Sequence, residues 1–88
     1  MSEFRIAESK TFMKAKKNVP PFVYDKIVKN VYPQLRRNPT FGPNIKKLKG
    51  ELDRYYRFRI GNYRLFYLVE NDKVLVVVVD LKHREGAY

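Results

Sequence analysis

Three arginines lie within the stretch YYRFRIGNYRLFY, residues 55–67. Its aromatic alternation around a Gly-Asn pair predicts a β-hairpin. In alternating strands Arg57 and Arg59 share one face, and across the turn Arg59 falls opposite Arg64. Like charges that face one another destabilise a sheet, so we predict that these arginines bind an anion, and a phosphate fits the guanidinium fork. The structural alternative is that they coat an exposed sheet with their stems over aromatic rings.

A second cluster, KHREGAY, occupies residues 82–88. His83 is the one side chain of the sequence whose ordinary pKa lies near neutral pH, so it is the candidate acid–base group. Arg84 adds a fixed cation, and Tyr88 adds a ring that can stack on a base or hydrogen-bond a hydroxyl. The cluster belongs to the same site only if the last strand ends beside the hairpin.

Two helices are expected ahead of the hairpin. Ser9 is a candidate N-cap for a first helix over SKTFMKAKKN. A second helix of about four turns is indicated by apolar residues at every fourth position, Val23, Ile27, Val31 and Leu35. Pro33 should kink this helix or end it near Tyr32.

The strands complete an order β-α-α-β-β-β. EFRIAE suits a short first strand, residues 54–60 and 63–70 form the hairpin, and Asn71-Asp72 makes a second tight turn. The last strand, KVLVVVVDLKH, is apolar on both faces and should be central. We therefore predict one α+β domain over residues 1–88, a small antiparallel sheet of about four strands with two N-terminal helices packed on one face.

Composition excludes several classes of function. The chain has no cysteine and one histidine, so neither a thiolate site nor a conventional zinc centre is available, and we expect no metal or small-molecule cofactor. The longest apolar run, Val74–Val79, is too short to span a bilayer, and no leader pattern opens the chain. We expect a cytoplasmic protein without a membrane partner.

The charge is concentrated in one segment. The net charge is +10, and Ser9–Lys49 holds 11 Lys/Arg against a single acid, Asp25. Such a segment is typical of a surface that docks on a polyanion, with nucleic acid favoured over a membrane surface or an acidic protein. The candidate RNA-binding residues are Arg36, Arg37, Lys46, Lys47 and Lys49.

The second half of the sequence resembles the RelE/ParE superfamily of toxin–antitoxin toxins, on the RelE side. The matching features are Leu-Lys-Gly before the hairpin, an aromatic followed by alternating basic residues, Gly-x-Tyr-Arg-x-x-Tyr, a hydrophobic strand and a closing His-Arg…Tyr. The family's paired basic strand residues fall on Arg57 and Arg59, and its hairpin arginine on Arg64. Its C-terminal arginine falls on Arg84 and its tyrosine on Tyr88, while His83 matches a histidine that many members carry.

The resemblance implies a metal-independent endoribonuclease that cuts mRNA in the ribosomal A site, with the RNA 2′-hydroxyl attacking the adjacent phosphate. It also implies two kinds of partner, the ribosome with its mRNA and a cognate antitoxin. The general base is open, because arginines stand where some members have lysines, and NIKKLKG lacks the glutamate that others carry there. Two rival classes remain, a ParE-like gyrase inhibitor without nuclease activity and a non-catalytic RNA-binding module.

Overall fold

The computed structural model describes residues 3–48 and 54–83, in which one layer of helices covers one face of a sheet. The strands are β1 (Arg5–Glu8), β2 (Ile45–Lys47), β3 (Tyr55–Ile60), β4 (Tyr63–Glu70) and β5 (Leu75–His83). The helices are α1 (Lys10–Ala15), α2 (Pro21–Lys26) and α3 (Tyr32–Arg37), and short helical segments cover Lys16–Asn18, Ile27–Val31 and Asn71–Lys73. No helix in this part of the chain is long and apolar enough to cross a membrane.

The sheet order is β1-β5-β4-β3-β2, which confirms the α+β class and the central position of the last strand. Two details differ from the prediction. The sheet has five strands, because the short lysine-rich β2 pairs with β3. It is also mixed, because β1 runs parallel to β5. Neither feature has a sequence signal, since three residues are too few for a period and alternation does not encode the direction of pairing.

Ser9 joins the first helix to the sheet. Its side chain accepts a hydrogen bond from the Phe12 amide at 3.1 Å, which confirms the predicted N-cap. The same hydroxyl donates to the carbonyl of Val79 on β5, also at 3.1 Å. One side chain therefore caps α1 and fixes its start against the central strand.

The second helical region runs without a break from residue 21 to residue 37, so of the two expected effects of Pro33 an end near Tyr32 is wrong, and the helix instead changes its geometry just before Tyr32. The Tyr32 amide donates to the Ile27 carbonyl, five residues back, which makes Ile27–Val31 a π-helical turn. Pro33 has no N–H and its ring crowds the carbonyl four residues earlier, and the wider turn accommodates both effects. The predicted apolar stripe is confirmed as core, at Val23, Ile27, Val31 and Leu35.

Glu8 holds β1 against the helices. Its Oε2 accepts hydrogen bonds from the hydroxyls of Tyr24 and Tyr32, both at 2.8 Å. Lys16 completes the cluster, with its Nζ 3.6 Å from Oε1 of the same carboxylate. Burial and then the neighbouring carboxylate raise the pKa of Tyr32 well above its ordinary value.

The turns on either side of β4 differ from each other. Gly61 has a φ of 55°, the left-handed region, and Asn62 does not share a positive φ, a pattern typical of a type II′ hairpin turn. After β4 the chain makes a helical turn, Asn71–Lys73, instead of the predicted two-residue turn. That turn leaves Val74 at a φ of 51°, a conformation that a β-branched residue rarely adopts.

Candidate active site

The predicted cross-strand arginine pair is present. In the β3–β4 register Ile60 lies opposite Tyr63, and Arg59 lies directly opposite Arg64. Arg57, two residues earlier on β3, lies opposite Phe66 on the same face. The three guanidiniums therefore project from the face of the sheet that the helices leave uncovered.

Two lysines extend this group across the sheet. Lys46 on β2 is the register partner of Arg57, and Lys82 on β5 is the register partner of Arg64. Partners in register share a face, so the basic side chains form a line across four strands. We call this line the cationic row: Lys46, Arg57, Arg59, Arg64 and Lys82.

Two carboxylates on the same face form ion pairs with cations outside the middle of the row. Asp80 lies opposite Phe66, with its Oδ2 3.9 Å from Nζ of Lys82 and its Oδ1 accepting from the Leu81 amide. Glu70, at the far end of the hairpin, pairs with Arg54 at 3.2 Å. Asp80 thus offsets part of the charge at the β5 end of the row.

Partial burial strengthens the field of the row. Arg57 and Arg64 are half-buried and Arg59 is exposed, and Nε of Arg64 is shielded from solvent. Arg57 and Arg59 also line a pocket of about 170 Å³ together with Pro43, Asn44 and Ile45. Because charges act more strongly where water is displaced, this is a suitable place for a phosphate.

His83 lies beside the hairpin but on the other side of the sheet. The strand order confirms that β5 ends next to the hairpin turn, with His83 in register with Tyr63. The two rings meet edge to face, with centroids 4.9 Å apart. Tyr63 is the register partner of the buried Ile60, so Tyr63 and His83 lie on the helix-covered face of the sheet. Neighbouring residues of a strand point to opposite faces, so Lys82 points to the face of the cationic row.

Comparison with known proteins identifies the family. Residues 10–88 match the family model described as the ParE toxin of type II toxin–antitoxin systems, parDE. The chain belongs to this family. It is a toxin of a type II toxin–antitoxin system, and the resemblance stated from the sequence is confirmed, including its RelE side.

The relatives of this toxin carry RelE names. It is 35% identical over 88 residues to the putative toxin RelE1 of Methanocaldococcus jannaschii, covering 98% of this chain and 96% of that one. Among solved structures it is similar to the RelBE2 toxin–antitoxin complex of Mycobacterium tuberculosis, with a TM-score of 0.82, 26% identity, and 96% and 94% of the chains covered. The antitoxin–toxin complex RelB–RelE of Methanococcus jannaschii gives a TM-score of 0.71 at 30% identity, with 93% and 94% covered.

The remaining predicted residues of the toxin divide into three groups. Lys46 belongs to the cationic row. Lys47, in register with Tyr56, lies on the same edge strand but on the helix-covered face of the sheet. Arg36 lies at the other edge of the molecule, where its carbonyl accepts from the Phe4 amide, and Arg37 is exposed at the end of α3. Lys49, Arg84 and Tyr88 lie outside the described residues.

One member of the cationic row was missed from the sequence. From the sequence, Lys82 is named only as the first residue of the cluster KHREGAY, and the structure makes it the register partner of Arg64. The signal was available, because Leu81 is apolar and the residue after it in a strand must point the opposite way. In the described residues no three His, Asp or Glu side chains come together in an arrangement that could hold a metal ion.

Proposed function

We propose that this toxin is a ribosome-dependent endoribonuclease that cleaves mRNA in the A site, and that the cationic row binds the scissile phosphate. The observation that carries the proposal is the direct pairing of Arg59 with Arg64. Two like charges in register cost stability, and they become favourable when an anion lies between them. The RelE names of the relatives support the same reading.

The chemistry that suits this row is internal transfer at phosphorus. The RNA 2′-oxygen attacks the adjacent phosphorus, the bond to the 5′-oxygen breaks, and the products are a 2′,3′-cyclic phosphate and a 5′-hydroxyl. The pentacovalent transition state carries more negative charge than the substrate, so fixed guanidiniums stabilise it preferentially. They supply the positive charge that a metal ion provides in other nucleases.

Proton transfer needs other groups, because an arginine effectively never loses its proton. The 2′-hydroxyl must give up a proton and the leaving 5′-oxygen must gain one. His83, Arg84 and Tyr88 stay the predicted residues for orienting the RNA and serving the leaving oxygen. The position of His83 beside Tyr63, across the sheet from the row, makes charge stabilisation by the arginines the main contribution that we assign to the described residues.

Primer extension on a defined mRNA, with and without programmed ribosomes, tests the proposal. Arg64→Gln should lower the cleavage rate by about 10²-fold, as expected when one charge-stabilising donor is removed. Arg54→Gln is the matched control, because Arg54 is exposed and pairs with Glu70 at the other end of the hairpin. It should keep the rate within about twofold, the range expected of a surface ion pair.

The outcomes separate the rival classes. Cuts at fixed positions of A-site codons, seen only with ribosomes, support the proposal, and cuts on free RNA remove the ribosome from it. If Arg64→Gln cleaves like the wild type, the row is not the phosphate site. A wild-type chain that cuts no RNA but blocks supercoiling by gyrase would establish the ParE-like alternative, which the description of the matched family favours.

We further propose that a cognate antitoxin covers the outer surface of the helices with an acidic amphipathic segment. Large apolar side chains are exposed there, with Phe22 at 69%, Met13 at 46% and Val28 at 39% exposure. They border two adjoining pockets that share Tyr24 and Val28. Exposed apolar side chains on a strongly basic surface match such a segment in both hydrophobicity and charge. Two of the similar solved structures are toxin–antitoxin complexes.

The antitoxin surface can be tested with the protein encoded beside the toxin gene. The double variant Phe22→Glu, Val28→Glu should weaken the complex by at least about tenfold in a calorimetric titration, because it places two charges in an apolar contact. Phe41→Glu is the control, since Phe41 is 79% exposed but lies in a loop outside these pockets. If the double variant binds the antitoxin as tightly as the wild type does, the antitoxin binds a different surface.

A further inference from the structure

A second pocket adjoins the cationic row on the helix side of β3. Its volume is about 320 Å³, and it is open at the sheet edge beyond the start of β2. The lining residues are Lys26, Asn30, Val31, Gln34, Asn44, Phe58, Arg59, Ile60 and Gly61. A cavity of this size is at the lower end of the range for small-molecule sites, roughly 300–1,000 Å³, and could hold about one nucleoside.

The chemistry of this amide pocket is specific. Its floor is apolar, formed by Val31, Phe58 and Ile60, whose side chains are almost fully buried. Three residues with carboxamide side chains also line the pocket, Asn30 and Gln34 from the second helical region and Asn44 from the loop before β2. Each carboxamide offers a donor and an acceptor side by side, which is the pattern that pairs with the edge of a nucleobase. An apolar floor with such groups at its rim is the usual form of a site that reads an unstacked RNA base.

Two features hold the carboxamides in position. Asn30 and Val31 belong to the π-helical turn Ile27–Val31, and π-turns occur frequently at functional sites. Gln34 is half-buried against Gly42, where a Cβ atom would lie only 2.5 Å from the Gln34 Nε2 atom. Because Gly42 has no Cβ atom, the Gln34 amide can pack against it, and this loop limits the movement of the amide.

The amide pocket adjoins the proposed phosphate site. Arg59 and Asn44 line both this pocket and the smaller one beside Arg57. The Arg59 amide also donates to the Asn44 carbonyl at 2.9 Å, which fixes the two residues to each other. An RNA strand with a phosphate on the row can therefore turn one adjacent base over the β3 edge into the pocket.

We infer that the amide pocket binds a nucleobase next to the scissile phosphate, and that Asn30, Gln34 and Asn44 determine which base is preferred. This inference rests on the proposed ribonuclease function and adds a specificity site to it. The row reads the RNA backbone, which carries no sequence information, whereas the pocket reads a base edge.

A binding experiment that requires no cleavage tests the inference. The purified chain, labelled with ¹⁵N, is titrated with each of the four nucleoside 5′-monophosphates, and the side-chain NH₂ signals of Asn30, Gln34 and Asn44 are followed by NMR. We expect these signals to shift in a saturable manner, with affinities that differ among the four bases. Ribose 5-phosphate, which has the phosphate but no base, should shift the backbone signals of Arg57 and Arg59 and leave the three carboxamide signals unchanged.

Variants complete the test. Asn30→Ala with Gln34→Ala should weaken the best nucleotide by about tenfold, the effect of losing a hydrogen-bonded pair in a partly buried site. The double variant should also flatten the base preference of ribosomal cleavage while cleavage itself continues. Asn18→Ala removes an exposed amide outside the pocket and should change neither result.

The failures are distinguishable. Carboxamide signals that respond equally to ribose 5-phosphate, or a double variant with wild-type affinity and base preference, would overturn the pocket and leave the ribonuclease intact. Base-selective binding by a chain that cuts no RNA would overturn the ribonuclease and keep the pocket as a nucleobase site.

Discussion

The two faces of the β3–β4 hairpin are built from neighbouring residues and follow opposite physical rules. On one face Phe58, Ile60 and Leu65 are buried beneath the helices, where close packing stabilises the fold. On the other, Arg57, Arg59 and Arg64 place three like charges on one surface, with Arg59 directly opposite Arg64. Alternation makes this division possible, because a six-residue strand can serve the core and a charged surface at once.

The largest effect is expected when substitutions of two adjacent residues, one on each face, are compared. Phe58→Ala should lower the free energy of unfolding by about 3–5 kcal/mol, because it leaves a cavity under the helices. Arg59→Ala should change it by less than about 0.5 kcal/mol, since it removes an exposed side chain that faces a like charge. Urea unfolding of both variants measures the difference. A large loss with Arg59→Ala would mean that the cationic face contributes to stability, and the contrast between the faces would be lost.

A second test uses high pH, which should destabilise the buried core that contains Tyr32 and Tyr67. Burial raises the pKa of Tyr32 and of Tyr67 above the ordinary value of 10, so both stay protonated in the folded chain when the unfolded chain begins to lose their protons. Stability from these groups is complete below pH 10 and is lost as the pH rises towards their folded pKa. The slope is up to about 1.4 kcal/mol per pH unit for each tyrosine. Urea midpoints at pH 9 and pH 11 measure it, and Tyr32→Phe should flatten the decrease.

The smallest effect is expected at the ends of the cationic row. Lys46→Ala and Lys82→Ala should each reduce the salt dependence of single-stranded RNA binding by about 0.7 in the slope of log K against log salt. Lys47→Ala is the control, because Lys47 lies on the same edge strand as Lys46 but on the opposite face of the sheet. A fluorescence titration of an RNA oligomer at several salt concentrations gives the slopes. Equal changes for the three variants would indicate a diffuse basic surface instead of a defined row.

The hairpin, its register and the helical core could be predicted because each depends on local periodicity. The Arg59–Arg64 pairing followed from a two-residue turn, which fixes the register by itself. The buried stripe from Val23 to Leu35 followed from the helical repeat.

What could not be predicted depends on contacts between distant segments. The pairing of β2 with β3 and of β1 with β5 is non-local, so Lys46 could not be assigned to the row. The π-turn at Ile27–Val31 shows how a helix can absorb Pro33, an outcome that propensity alone does not distinguish from a helix end. The site was therefore predictable on β3 and β4 and, from the alternation after Leu81, at Lys82 on β5, whereas its extension to β2 was not.

The parallel pair of β1 and β5 also makes completion of the sheet depend on contacts between distant segments. Arg5 is in register with Leu75, so the two ends of the chain must meet before the sheet is complete. β5 follows the other described strands in the sequence, and both β1 and β4 pair with it. Contacts so far apart in sequence form late in folding. Lys82 joins Arg64 only when β5 pairs with β4, so the row that we propose as the phosphate site is completed late in folding, by the strand that also holds β1 in the sheet.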